Sequence, residues 1–289
     1  MRVEVGMSKR KIFVGTDKSQ RLAVKVLEHS IKKYASEDVE VVAMCDLPVP
    51  VPRSIANQQR TGFSFSRFCI PQFMDYKGTA IYLDADMLVF SDIMELFRWP
   101  MKDHHIVIQK PVPGKKRIRQ CSVMVIDCEK CRWDIKEIVA DLDNGKYNYQ
   151  QLMQNMCIVD DAKVGEELPF SWNSLEHYDN DTKLIHYTDM NTQPWVSTRN
   201  KHAGVWYEAV LEMLNSGKLT EDEIRAEISA GYFRPSLLVD LHNYAKVPKI
   251  LAPFWRFSLA LMDVSKGYRK HKEVMTRSNQ IKKAMAVKT

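Results

Sequence analysis

Two aspartates separated by one small residue sit in an otherwise apolar run, Ile81-Tyr82-Leu83-Asp84-Ala85-Asp86-Met87-Leu88-Val89. Two like charges beside a buried strand are costly unless something offsets them. A divalent cation does so, and carboxylate oxygens suit Mg2+ or Mn2+. The carboxyl end of a parallel strand is also where α/β sheets place ligands. The plainer reading is a pair of turn carboxylates at the surface, and the apolar flanks argue against it.

A cation needs further ligands. His186 follows the apolar pair Leu184-Ile185 and precedes Tyr187-Thr188-Asp189. A neutral imidazole there would complete the set, although a lone histidine in such a run is more often a satisfied core residue. Arg67 stands in the aromatic-rich stretch Phe63-Ser64-Phe65-Ser66-Arg67-Phe68. It reads equally well as a clamp on phosphate or sugar hydroxyls and as the ion-pair partner of a buried aspartate.

These residues need a frame. Lys11–Gly15 is a short apolar strand ending in glycine, and apolar positions at helical spacing run from Leu22 to Tyr34. Val39–Met44 then reads as a second strand, so the chain opens β-α-β, the start of a parallel sheet. A Pro-rich loop covers Leu47–Arg60, and Phe65–Met74 reads as a helix interrupted at Pro71. Thr79–Leu83 runs straight into Asp84. Strands are expected at Ile106–Ile108, Val123–Ile126 and Leu184–Tyr187, and helices at Asp92–Phe97, Trp133–Leu142 and Tyr147–Met156. Helical patterns follow at Gly204–Leu214, at Thr220–Ile228 and from about Phe254 onward. The expected fold class is α/β, with a catalytic sheet domain over 11–200 and a helical appendage over 201–289.

Composition narrows the function classes. No run of eighteen uncharged apolar residues occurs, so no transmembrane helix is expected. The stretch Met1–Lys11 is charged and does not read as a secretory signal. Six cysteines, mostly in apolar runs, fit reduced thiols in a cytoplasm. Cys128 and Cys131 form a CxxC without the second pair of a zinc ribbon. The net charge is +6, yet eleven Lys or Arg against two Asp or Glu fall between Lys246 and Thr289, so the body is mildly acidic. A basic tail beside Phe254-Trp255-Arg256-Phe257 reads as a peripheral membrane contact at the inner face or as a solvated helix. An acidic body excludes nucleic acid as the expected partner.

Taken together, the motifs resemble glycosyltransferase family 8 and its bacterial relatives of GT-A fold, a Rossmann-like, mixed but mostly parallel sheet flanked by helices. The matching segments are Ile12–Asp17, Ser66-Arg67-Phe68, Ile81–Asp86 with Asp92–Leu96, Ser122–Asp127, Leu168–Asn173, and His186 with Pro194-Trp195, in the family's order. The resemblance implies a nucleotide-diphosphate-sugar donor, a UDP-sugar in the first instance, a Mn2+ or Mg2+ cofactor, and transfer with retention of anomeric configuration. It carries the metal ligands onto Asp84, Asp86 and His186, and the base-holding loop onto Gly15, Thr16 and Asp17. Arg67 falls at the arginine near the donor sugar. Ala85, Ser122, Asn173, Pro194 and Trp195 fall within motifs that face the donor.

Three departures stand out. Asp189 and Gln193 occupy the neighbourhood of the family's diphosphate-binding glycine and lysine, one residue further along. Ser19-Gln20-Arg21 replaces the aromatic residue that stacks on the base. Gln150-Gln151 lies where an acid–glutamine pair is expected near the sugar, so Gln151 is a candidate without its acid. Asp127 and Asp189 are the further carboxylates to consider for catalysis, each with a capping role as the simpler alternative. The acceptor, a saccharide or lipid-linked glycan in polysaccharide or glycolipid synthesis, would meet the Pro111–Arg119 loop and the helices after 200. Two other readings stay open at this point: an Asp-x-Asp phosphatase or phosphotransferase, and a nucleotide-sugar-binding protein without turnover.

Overall fold

The computed structural model describes residues 10–111 and 119–286. The acceptor-loop expectation falls largely on residues 112–118, and the reading of the N-terminus on residues 1–9, outside the described residues.

The strands are β1 (Arg10–Gly15), β2 (Val39–Met44), β3 (Thr79–Asp84), β4 (Met87–Val89), β5 (Ile106–Gln109), β6 (Gln120–Asp127), β7 (Val164–Leu168), β8 (Ser174–Leu175) and β9 (Leu184–His186). The helices are α1 (Arg21–Tyr34), α2 (Ile70–Phe73), α3 (Met94–Phe97), α4 (Ile135–Asp143), α5 (Tyr149–Asn155), α6 (Ala203–Asn215), α7 (Glu221–Ser229), α8 (Leu237–Asn243), α9 (Ala252–Ser265) and α10 (Lys272–Ala286). The main sheet has the order β2-β1-β3-β6-β5-β7, and only β6 runs against the others. A second, small sheet has the order β4-β9-β8.

Strand alternation makes two cores. Phe13, Ala80, Tyr82, Ile106, Ile108, Met124 and Ile126 face one layer with Phe65, Phe68 and α4. Ile12, Val14, Ile81, Leu83, Val107, Val123 and Val125 face the other with α1 and α3. Central strands buried on both faces explain the unbroken apolar runs.

Three strands were not legible. β7 is an edge strand whose sequence, VGEEL, carries two glutamates. β4 is hidden in the apolar flank of the aspartate pair, and β8 is two residues long. The helix expected over Phe65–Met74 is a 3-10 turn, Ser66–Cys69, running into α2. The tail helix is two helices, α9 and α10, separated at Gly267 with φ +71°. Cys128 and Cys131 are buried thiols outside any disulfide, and burial pushes the Cys128 thiol up to about 12, as befits a packing residue.

A third core crosses the expected boundary at 200. Leu22, Val26, Leu88, Ile185, Tyr187 and Trp195 pack with Trp206, Val210, Ile224, Phe233 and Leu237. Its polar staple is Arg234, fully buried. The guanidinium donates to Asp240 Oδ2 at 2.6 Å, to the Tyr207 hydroxyl at 2.7 Å and to Ser236 Oγ at 2.5 Å. Trp255 Nε1 donates to the other Asp240 oxygen at 3.0 Å, which brings α9 into the same network. Removing one partner of such a pair strands a buried charge, so Arg234→Ala should destabilise the protein by about 3–5 kcal/mol. Urea unfolding reads this directly, and a loss under about 1 kcal/mol would show the network to be dispensable.

Candidate active site

Backbone pairing brings the distant residues together. Gly15 lies opposite Asp84 in the parallel β1–β3 pair, so both strands end at the same edge. Met87 lies opposite His186 in the antiparallel β4–β9 pair, and Tyr187 N donates to Asp86 O at 2.8 Å. That register sets the imidazole beside the second aspartate, a hundred residues away in the chain. His186 Nε2 is 3.1 Å from Asp86 Oδ1 and 4.0 Å from Asp84 Oδ2. One ligand atom from each of the three residues lies within 4.8 Å of the others.

The tautomer of His186 follows from its support. Gln109 Nε2 donates to the Asn173 carbonyl at 3.2 Å, which fixes the Gln109 amide. Asn173 Nδ2 then donates to Gln109 Oε1 at 2.8 Å, leaving Asn173 Oδ1 as an acceptor 2.9 Å from His186 Nδ1. Nδ1 therefore carries the proton and Nε2 faces the carboxylates. A bare lone pair 3.1 Å from a carboxylate oxygen is repulsive, so the geometry calls for a cation or a proton between them. Burial pulls the imidazole pKa down, but Asp86 and Asp84 outweigh it and raise it above the ordinary value. The donor set, two carboxylates and one oriented imidazole, fits Mn2+ or Mg2+.

Asp84 is gripped from the other side. Tyr82 and Asp84 share a face of β3, and the Tyr82 hydroxyl donates to Asp84 Oδ1 at 2.7 Å. Arg67 Nη2 donates to the Tyr82 hydroxyl at 3.0 Å and lies 3.5 Å from Asp84 Oδ1. Its Nη1 donates to the Cys121 carbonyl at 2.8 Å, and its plane sits 4.4 Å from the Tyr82 ring centroid. Of the two readings of Arg67, the ion pair is formed, while Arg67 Nε is buried without a partner. A Cβ on Gly15 would stand 2.2 Å from the Tyr82 hydroxyl, so glycine at this strand end makes room for the clasp.

The aspartates and His186 open onto a cleft of about 640 Å3, lined also by Asp17, Arg60, Arg67, Ser122 and Tyr149. Several expected contacts lie elsewhere. Asp127 pairs with Thr79 at the far end of β3, caps the turn at Glu129 and pairs with Lys130 at 3.1 Å. Asp189 accepts from Asn191 N and from Thr192 Oγ1, a turn-capping pattern that holds its carboxyl below the usual range. Gln151 closes the capping box of α5 with Asn148, and its neighbour Gln150 is the one that lines the cleft. The side-chain acceptors of all three are engaged by neighbouring residues, and none of the three lines the cleft.

Asn173 stands behind His186, fully engaged by that ring and Gln109. Pro194 and Trp195 do not line the cleft; Trp195 is buried against Trp206 and Phe233. Ala85 is packed in the core, and Gly15 and Thr16 shape the strand end without lining the cleft. Gln193 donates to Asp86 Oδ2 at 2.7 Å and to the Tyr187 carbonyl at 3.1 Å. The sequence signalled neither Tyr82 nor Gln109; only the alternation that puts Tyr82 beside Asp84 could have exposed the first.

The chain matches the model of the family "Glycosyl transferase family 8" over residues 9–161, more than half its length. Protein CDI of Arabidopsis thaliana is 26% identical over 223 residues, covering 71% of this chain and 83% of that protein. Among solved structures, the galactosyltransferase LgtC with donor and acceptor sugar analogs superposes with a TM-score of 0.55 at 15% identity, over 75% of this chain and 99% of LgtC. GlyE of Streptococcus pneumoniae TIGR4 gives 0.55 at 15% identity, over 73% of this chain and 64% of GlyE. The bifunctional WbbM gives 0.54 at 15% identity, over 71% of this chain and half of WbbM. With the sheet order and the motifs in sequence, these findings place the chain in glycosyl transferase family 8, as a glycosyltransferase of GT-A fold.

Proposed function

We propose that the protein transfers a hexose from a UDP-sugar to a saccharide or lipid-linked acceptor, with a divalent cation held by Asp84, Asp86 and His186 and with retention at the anomeric carbon. The observation that carries this is the convergence of those three side chains, 4.8 Å or less apart, on a cleft large enough for a nucleotide-sugar. A bound Mn2+ or Mg2+ would supply charge stabilisation to the departing diphosphate. The protein's own part is positional. Tyr82 and Arg67 fix Asp84, Gln193 fixes Asp86, and Asn173 fixes His186, so the charges are set before the donor arrives. No carboxylate other than Asp17, Asp84 and Asp86 lines the cleft among the described residues. That supports a route in which the leaving diphosphate accepts the acceptor's proton.

We place the reaction at the cytoplasmic face of a membrane. No described helix is long and apolar enough to cross one. Along α9, however, Phe254 is 71% exposed, Phe257 63% and Val264 73%, with Leu261 on the same side and Ile250 beside them. Lys249, Arg256, Lys266 and Arg269 are exposed in and around α9, and exposed aromatic and basic residues together are what anionic lipid attracts.

A thermal-shift panel of nucleotide-sugars with and without Mn2+ tests the donor reading; stabilisation by a UDP-sugar should appear only with the metal. Asp86→Ala should fold and lose about 10²–10³-fold in turnover, and EDTA should do the same to the unaltered enzyme. A folded Asp86→Ala protein with near-full turnover would remove the metal role. Asn173→Ala should weaken Mn2+ about 10–100-fold in calorimetry, because the imidazole loses its orientation. On vesicles rich in phosphatidylserine, the double variant Phe254→Ser with Phe257→Ser should co-sediment far less than the parent; equal sedimentation would sink the membrane contact.

A further inference from the structure

The C-terminal segment does more than present a face to lipid. Between α9 and α10 it crosses the donor cleft. Val274 and His271 line that cleft together with Asp17 and Ser19. The segment is tied to the loop after β9, because Lys270 Nζ donates to the Asn191 carbonyl at 2.6 Å. Helix α10 then packs on the 3-10 turn Ile55–Asn57 across the opening. The loop that follows the metal-ligating histidine therefore carries tail residues on its outer side.

His271 has three features that a surface histidine lacks. Its backbone is left-handed, φ +43°, a conformation that a residue with a Cβ rarely adopts. Its Nε2 is buried and has no partner. His271 lines the same cleft as Asp17 and Asp86, and the charges of both carboxylates act on its ring. Burial holds its pKa below the ordinary value despite those two carboxylates.

The other cationic groups of the cleft are committed. Among the described lining residues these are Arg60, Arg67 and His186. Arg60 donates to the Gln58 and Ala56 carbonyls and stacks on Tyr149 at 4.1 Å. Arg67 serves Tyr82, Asp84 and Cys121 through its two Nη atoms, and its Nε is buried without a partner. His186 serves the aspartates. At position 193, glutamine spends its amide on Asp86 and brings no charge. Among the described cationic residues of the cleft, two thus keep a buried nitrogen without a partner, Arg67 Nε and His271 Nε2, and of these two only the histidine makes no ion pair with the aspartates.

We propose that His271 is a donor-binding residue, its Nε2 hydrogen-bonding to the diphosphate of the nucleotide-sugar, so that the C-terminal segment forms part of the active site. This rests on the donor reading above. A dianionic group beside the ring favours the protonated, donating form, which offsets the cost of burial. The strained backbone is then the means of holding the ring over the cleft.

The test uses the full chain with Mn2+ and titrates UDP, GDP, ADP and CDP by calorimetry, then follows the nucleoside matching the best binder by saturation-transfer NMR. His271→Ala should weaken the diphosphate about tenfold, the equivalent of one charge-assisted hydrogen bond, and leave the nucleoside within about twofold. His271→Gln, which keeps a side-chain N–H, should recover part of the loss. If the parent protein binds none of the diphosphates, the donor reading itself fails. If the parent binds and both variants bind as tightly, His271 is not a donor residue and the donor reading stands. Equal weakening of nucleoside and diphosphate would place the ring against base or ribose and overturn the diphosphate contact.

Discussion

Everything in this molecule turns on holding two carboxylates within a few ångströms of each other where water is scarce. Left alone, such a pair would take up a proton or push apart. Here each oxygen is assigned. Asp84 Oδ1 accepts from Tyr82 and faces Arg67, Asp86 Oδ2 accepts from Gln193, and Asp84 Oδ2 and Asp86 Oδ1 point toward His186. One side of the pair is thereby satisfied by protein, and the other is left for a cation. The order matters: donors that are fixed before the ligand arrives need not reorganise when charge develops.

That arrangement dictates choices far from it. Tyr82 can reach Asp84 because alternate residues of a strand share a face, and its hydroxyl occupies the volume a Gly15 side chain would fill. Gln109, on β5, reaches Asn173 across the sheet and through it sets a single proton on His186. The small sheet of β4, β9 and β8 is slight as architecture, yet its register is what sets His186 beside Asp86. A slip of one residue in β9 would turn the imidazole to the opposite face.

The motif-bearing strands were legible because they are apolar runs ended by residues that apolar runs do not tolerate. Gly15 and Asp84 mark strand termini at one edge of the main sheet and His186 ends a strand of the small sheet, and such termini are enough to suggest a ligand. The candidates that lie away from the cleft share a feature. Asp127, Asp189 and Gln151 were considered for chemistry because of residue type and motif position, but a carboxylate or amide just past a strand or at a helix start more often caps a turn. Which role it takes depends on whether the local backbone leaves an N–H for it to bind, and residue type does not encode that. Asn173 and Trp195 were placed in donor-facing motifs and lie behind them, holding or packing the segments that do face the cleft. Family membership settles the competition with phosphatase chemistry, since the aspartates belong to a sheet whose order and motifs are those of glycosyl transferase family 8.

The helical region after residue 200, read from its helical pattern as an appendage, shares a core with the sheet domain: its apolar residues pack with those of α1 and β9, and Arg234 N donates to the Trp195 carbonyl. The consequence is mechanical. The loop from Thr188 to Gln193, which holds Asp86 from one end through Gln193, is bounded below by that core and above by Lys270 and His271. A force on α9 or α10, such as seating its exposed aromatic face on lipid, acts on the same segment that touches this loop. On the proposed reading, membrane contact and donor binding fall to neighbouring turns of one stretch of chain, the exposed face of α9 and the turn at His271.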